Sequence, residues 1–332
     1  MDPLRISLFG RLHLSYGGTP LTSCASAKAR ELLCYLLLFR DRPHPREVLA
    51  SLLWGDHCTT SQSKTYLRKA LWQLQTGLSA CHGLEDALLI EADAEWIQLH
   101  SIEPLWLDVA VFEEAYAAVQ DRPGRRLDAW DAHRLQRGIA VYEGDLLEGW
   151  YQDWCLCERE RLQQLHLIML DKLMEHCEQT GAYEAGLRYG ETSLRCDRAR
   201  ERTYQQLMRL HVALRDRTGA LRQYARCVAA LREELDVAPS ARTNALRDAI
   251  RRDDAALEPD ASEPGSSEPG SSKPDASEDG DRPARPRARP DAPTVSDRLD
   301  HIITLQHRLA RLHTQLQREL EAVEGALHRG TA

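Results

Sequence analysis

A ten-residue run, Thr65-Tyr66-Leu67-Arg68-Lys69-Ala70-Leu71-Trp72-Gln73-Leu74, fits one regular structure: a helix with an apolar stripe on one side and polar, groove-reading residue types on the other. At about 100° per residue, Leu67, Leu71, Leu74 and Leu78 share a stripe with Ala70 beside it. The candidate DNA-contacting set on the remaining surface is Gln62, Lys64, Thr65, Arg68, Lys69, Trp72, Gln73 and Thr76. Arg and Lys pair with phosphates or guanine, Gln pairs bidentately with adenine, and Thr bonds a base edge or touches a thymine methyl. Taken alone, the pattern also describes a solvated amphipathic helix, so the flanking segments have to decide.

Residues 4 to 14 alternate apolar and polar with period two, and Tyr16-Gly17-Gly18-Thr19-Pro20 supplies turn chemistry, which predicts a small antiparallel sheet. Ala27 to Phe39 has helical periodicity and is closed by Asp41-Arg42-Pro43. A short second helix starts with Pro45 at a first-turn position and runs through Trp54; Gly55 to Ser61 connects it to the amphipathic third. Leu88 to Leu99 reads as two strands around a polar turn. Sheet, three helices and hairpin are the order of a winged helix-turn-helix of the response-regulator effector type. That context favours a recognition helix at residues 62–78.

From about Leu107 the pattern is helical throughout. Gly186-Leu187, Gly190 and Ser193 overlay on Ala220-Leu221, Tyr224 and Cys227 with an offset of 34 residues, the tetratricopeptide period, which predicts stacked helical hairpins. At residue 253 the composition changes, and Ser262-Glu263-Pro264-Gly265-Ser266 repeats as Ser267-Glu268-Pro269-Gly270-Ser271, too polar to bury a core. The arginines at 282, 285, 287 and 289 either brush DNA or are simply solvated. Residues 296–328 carry a seven-residue spacing through Ile302, Leu309, Leu316 and Val323, which suits a short coiled coil or an amphipathic helix docked on the helical domain. The expected fold is mainly α with a small antiparallel β component. The expected divisions are a winged helix-turn-helix at 1–102, a TPR-like all-α domain at 103–252, a disordered linker at 253–295 and an amphipathic helix at 296–328.

Charge and motif content narrow the function. The chain's net charge of −8 argues against indiscriminate coating of nucleic acid, while Lys28 to Lys69 holds eight basic residues against four acidic ones, a local excess of +4. Nine irregularly spaced cysteines suggest reduced thiols, and Cys155-x-Cys157 lacks the second ligand pair a zinc site needs, so no metal or cofactor is expected. Met1-Asp2-Pro3 leads straight into the first strand pattern with no signal-peptide character. No apolar run approaches the roughly 20 residues of a membrane span, so a cytoplasmic protein without membrane contact is expected. There is no phosphate loop, Gly-x-Ser-x-Gly elbow or His-Glu-x-x-His helix, so no catalytic residues are assigned and no enzyme is expected. His133, His166, His176 and His211 are expected at surface or satisfied interior positions, and Asp145 and Asp153 are candidate paired carboxylates.

The chain resembles the SARP-type (Streptomyces antibiotic regulatory protein) transcriptional activators, a winged helix followed by a bacterial transcriptional activation domain, over roughly residues 4 to 250. The residues that carry it in the N-terminal part are Leu8-Phe9-Gly10, Lys28 to Leu36, Leu53-Trp54-Gly55-Asp56 and the Leu-Arg-x-Ala-Leu-x-x-Leu run of the third helix. In the helical part they are Leu107-Asp108-Val109-x-x-Phe112-Glu113, Tyr142 through Trp154, Glu158-Arg159-Glu160-Arg161-Leu162 and Glu233-Glu234-Leu235-x-Val237-x-Pro239-Ser240.

The resemblance implies a third helix in the major groove of promoter DNA, a homodimer on repeated half-sites, and contact of the helical domain with RNA polymerase. Where many members carry Arg, this chain has Gln73 and Gln75, which implies weaker phosphate contact and admits adenine reading. The expected wing carries Glu91, Asp93 and Glu95, with no Arg or Lys from Cys81 to Leu107, so phosphates repel it unless those carboxylates face solvent. The leading expectation is a sequence-specific transcriptional regulator, an activator by resemblance. The alternative is a TPR-like interaction adaptor whose winged helix no longer binds DNA, favoured by the neutral balance of residues 1 to 100, ten basic against ten acidic.

Overall fold

Alternation places Leu4, Ile6 and Leu8 on one face of the first strand, and all three are fully buried. The computed structural model describes residues 4–20, 26–55, 58–79, 88–101 and 105–252. The expected linker at 253–295, the helix at 296–328 and the Leu78 side chain lie outside the described residues. Strand β1 (Leu4–Ser7) pairs antiparallel with β2 (His13–Tyr16), which pairs with β3 (Thr19–Pro20). Gly10, Gly17 and Gly18 take the positive φ that the connecting turns require.

Helix α1 (Ala27–Leu38) is capped by Ser26, whose hydroxyl accepts the Ala29 amide, and every residue from Glu31 to Leu38 is buried. A helix this apolar needs cover on more than one side, and it packs against the third helix, the wing and the helical domain, where the Tyr35 and Trp154 rings meet edge-on at 5.5 Å. The one buried charge of this helix, Glu31, is held by Lys28 at 2.9 Å. β4 (His44–Pro45) precedes α2 (Arg46–Trp54). Pro45 stands at the cap rather than inside the first turn, with an extended backbone that lets β4 pair with the wing. After α3 (Thr60–Ser79) come β5 (Leu88–Ala92) and β6 (Trp96–Ser101), an antiparallel hairpin as the sequence predicts.

β7 (Leu105–Leu107) runs parallel to β1 and completes a sheet of order β3-β2-β1-β7. The chain then becomes helical: α4 (Asp108–Ala117), α5 (Ala129–Ala140), α6 (Asp153–Thr180), α7 (Tyr183–Cys196), α8 (Glu201–Ala213), α9 (Arg217–Leu235) and α10 (Ala241–Arg252). The sequence offset of 34 maps α7 onto α9, the second helices of two successive hairpins. Gly186 and Gly190 let α7 approach α8 so closely that Leu210 and Leu207 occupy the space of their missing Cβ atoms.

The sheet and the helical region share one hydrophobic core. Phe9 meets Phe112 at 5.2 Å and Tyr142 at 4.7 Å between ring centroids. Gly10 N–H donates to the Asp145 carbonyl, while Leu147 and Glu148 donate to the carbonyls of Leu8 and Gly10. This loop includes Leu147 and Gly149 at positive φ, and the Arg159 guanidinium holds it by donating to the carbonyls of Leu146, Leu147 and Trp150 at 2.9–3.0 Å. Residues up to Asp253 form one compact unit, and the remaining unit, Asp254–Ala332, lies outside the described residues.

His166 departs from expectation. It is buried, stacked on Tyr142 at 4.2 Å, and its Nδ1 has no partner. Aromatic stacking rather than hydrogen bonding holds it, and burial pushes its pKa down to about 4. His176 and His211 are bonded, to the Leu127 carbonyl and the Asp216 carboxylate, and His133 is exposed.

Candidate nucleic-acid interface

The N-terminus of α3 is built by a reciprocal cap. Gln62 Oε1 accepts the Thr59 amide and hydroxyl at 3.0 and 3.1 Å, and Thr59 Oγ1 accepts the Gln62 amide at 3.4 Å. This Thr-x-x-Gln box satisfies two otherwise orphaned donors. Ser63, Leu67, Ala70, Leu71 and Leu74 are buried, and each leucine contributes about 2 kcal/mol to anchoring the helix.

The opposite face lies open. Gln62, Lys64, Thr65, Arg68, Lys69, Trp72 and Thr76 are exposed and Gln73 is half-buried, so the structure brings all eight candidate residues onto one solvent-facing surface. Several carry internal bonds. Lys64 Nζ lies 2.6 Å from Glu47, an exposed pair that holds the Glu47 pKa down and contributes little to stability. Thr65 turns its hydroxyl back to the Ser61 carbonyl at 3.1 Å and accepts Arg68 Nη2 at 3.2 Å. Gln73 Oε1 accepts the Ser26 hydroxyl at 2.7 Å, so bidentate adenine recognition requires that bond to break first.

Two tethers mark the edges of the open face. Gln75 Nε2 donates to the Ile90 carbonyl of the wing at 3.3 Å, and Gln73 is tied to the α1 cap. Beside Gln73 lies an open groove of about 250 Å³ lined by Ser26, Lys28, Trp54, Tyr66, Lys69, Ala70 and Gln73. Lys28 there donates to the Leu53 carbonyl and sits 5.8 Å from the Trp54 ring. Sequence reasoning left Ser26, Lys28 and Trp54 out of the site; the Leu53-Trp54-Gly55-Asp56 motif was the available signal.

The local excess of basic residues is dispersed. Arg40 reaches Glu113 in the helical region, Arg42 stands over the Phe39 ring at 5.7 Å, Arg46 bonds the Asp93 carbonyl in the wing turn and Arg30 is exposed on α1, while Lys64, Arg68 and Lys69 lie on α3 and Lys28 lines the groove beside it. The wing carboxylates have structural work. Asp93 caps the turn by accepting the Trp96 and Glu95 amides, which lowers its pKa, and Glu91 bonds His100 at 3.1 Å.

Three helices followed by a hairpin, joined to stacked helical hairpins, define a winged-helix protein with a TPR-like helical domain. Residues 107–251 match the bacterial transcriptional activator domain family. Among solved structures, Mycobacterium tuberculosis EmbR in complex with a low-affinity phosphopeptide shares the fold with a TM-score of 0.57 at 21% identity. That match covers 76% of this chain and 66% of the EmbR chain, just under two thirds of its length. No curated protein matches. Among the described residues no helix is long and apolar enough to cross a membrane.

Proposed function

We propose that this chain is a sequence-specific, cytoplasmic DNA-binding activator that places α3 in the major groove of promoter duplexes. The observation that carries the reading is the open face of α3: eight residues of groove-reading types share it, while the leucines opposite anchor the helix in the core. Four cations around the helix make phosphate attraction modest for one protomer, so a homodimer on two half-sites is the working form, and the helical domain serves dimer assembly and RNA polymerase contact.

The test is titration of the full chain against its own promoter region at low and moderate salt. The reading expects saturable binding that weakens with salt and is markedly weaker on replacing Arg68 and Lys69 with Ala. The exposed carboxylates of the wing favour a second reading, an interaction adaptor that has given up DNA. No binding by the intact chain at low salt, or binding indifferent to the double substitution, selects the adaptor.

A further inference from the structure

The side chains on the open face of α3 are arranged by chemistry, and the arrangement specifies what they can read. On a wheel advancing about 100° per residue, the tethered Gln75 and Gln73 mark the two edges, and the line midway between them passes through Thr65 and within about 20° of Trp72 and Thr76. Arg68 and Lys69 flank this line on either side. A helix lying in a major groove meets phosphates at its flanks and base edges along its floor. The floor residues are therefore Thr65, Trp72 and Thr76.

That floor is mostly apolar. Trp72 is 64% exposed, the joint highest exposure of any tryptophan in the described residues, and among those residues no ring, cation or hydrogen-bond contact engages it. Thr65 has committed its hydroxyl to the Ser61 carbonyl, which leaves its methyl as the group to offer outward. An indole standing in water contributes nothing to the fold, whereas the major-groove edge of thymine presents one apolar group, the C5-methyl, that an aromatic face can cover. Gln73, the residue suited to adenine, is instead held at the edge by Ser26.

We infer that Trp72 is a specificity-determining residue that packs its indole on thymine C5-methyl groups, with Thr65 and Thr76 extending the apolar floor, so that each half-site is centred on thymine. Thr65 to Thr76 spans about 16 Å of helix, or about five base pairs. The inference rests on the DNA-binding reading above.

The experiment begins by selecting duplexes from a random-sequence library with the full chain. Each thymine of the enriched duplex is then replaced singly by deoxyuridine, which removes the methyl and keeps the hydrogen-bonding edge. One or two positions should weaken binding by about fourfold each, the value of one buried methyl. Trp72→Ala should bind the thymine duplex more weakly and lose the distinction between thymine and uracil; Trp72→Phe should retain it. Arg68→Ala should weaken both duplexes alike. Equal binding of thymine and uracil at every position by the native chain overturns the inference while DNA binding stands. Discrimination that survives in Trp72→Ala removes Trp72 from the role. A library that enriches no duplex takes down the DNA-binding reading itself.

Discussion

Asp108 Oδ2 accepts the backbone amide of Phe9 at 2.8 Å, and that of Leu8 beside it at 2.7 Å, across 99 and 100 residues of sequence. One buried carboxylate at the start of α4 thus terminates the first strand of the winged-helix region and pins it to the helical region. The motif that carries Asp108, together with the 142–154 segment and Arg159, forms the seam between the two parts of the molecule.

Replacing Asp108 with Ala leaves three buried amides, those of Leu8, Phe9 and Val109, without their carboxylate acceptor, and the expected cost is about 3 kcal/mol or more in urea denaturation. Burial raises the Asp108 pKa to about 6 in spite of its amide donors. Because the folded value lies above the unfolded one, this group's contribution is fully present below about pH 4 and is lost as pH rises through 6. Asp108→Asn keeps an acceptor and lacks that dependence, so its stability relative to the native chain should improve by on the order of 2 kcal/mol between pH 4 and pH 7.

His166 has the opposite sign. Its folded pKa of about 4 lies below the ordinary histidine value of 6.5, so its contribution is present above about pH 6.5 and is lost as pH falls towards 4. His166→Phe keeps the stacking on Tyr142 and discards the proton site. The variant should be more stable than the native chain at pH 5, by on the order of 2 kcal/mol, and close to it at pH 7.5, read from thermal melts across that range.

Arg68 and Lys69 should act through phosphates. Each neutralised phosphate contributes about 0.9 to the slope of log affinity against log salt, so the double alanine variant should lose close to two units of slope per protomer. Fluorescence anisotropy over a potassium chloride series measures it. An unchanged slope with reduced affinity at every salt concentration would assign both residues to base reading instead.

Gly138 sits where α5 crosses α4 and α6. A Cβ there would stand 2.6 Å from the Cβ of Ala115 and 2.7 Å from the end of Met169, and the alanine methyl has no rotamer by which to retreat. Gly138→Ala should therefore destabilise the helical domain by about 1 to 3 kcal/mol, although alanine is the better helix former. The denaturant midpoint checks it.

Local periodicity determined much of this protein. The 3.6-residue period of Leu67, Leu71 and Leu74, the alternation of Leu4, Ile6 and Leu8, and the 34-residue offset each identified an element from neighbours in sequence, because amphipathic burial repeats with backbone geometry. The open face of α3 was legible for the same reason. Tertiary structure alone decided three other things. It turned Leu105–Leu107 into a strand beside β1, committed Gln73 to Ser26 and Arg40 to Glu113, and left Trp72 exposed in the middle of the open face. Those outcomes depend on pairings between residues tens of positions apart, made when separate elements pack, and no local pattern encodes which distant group will arrive.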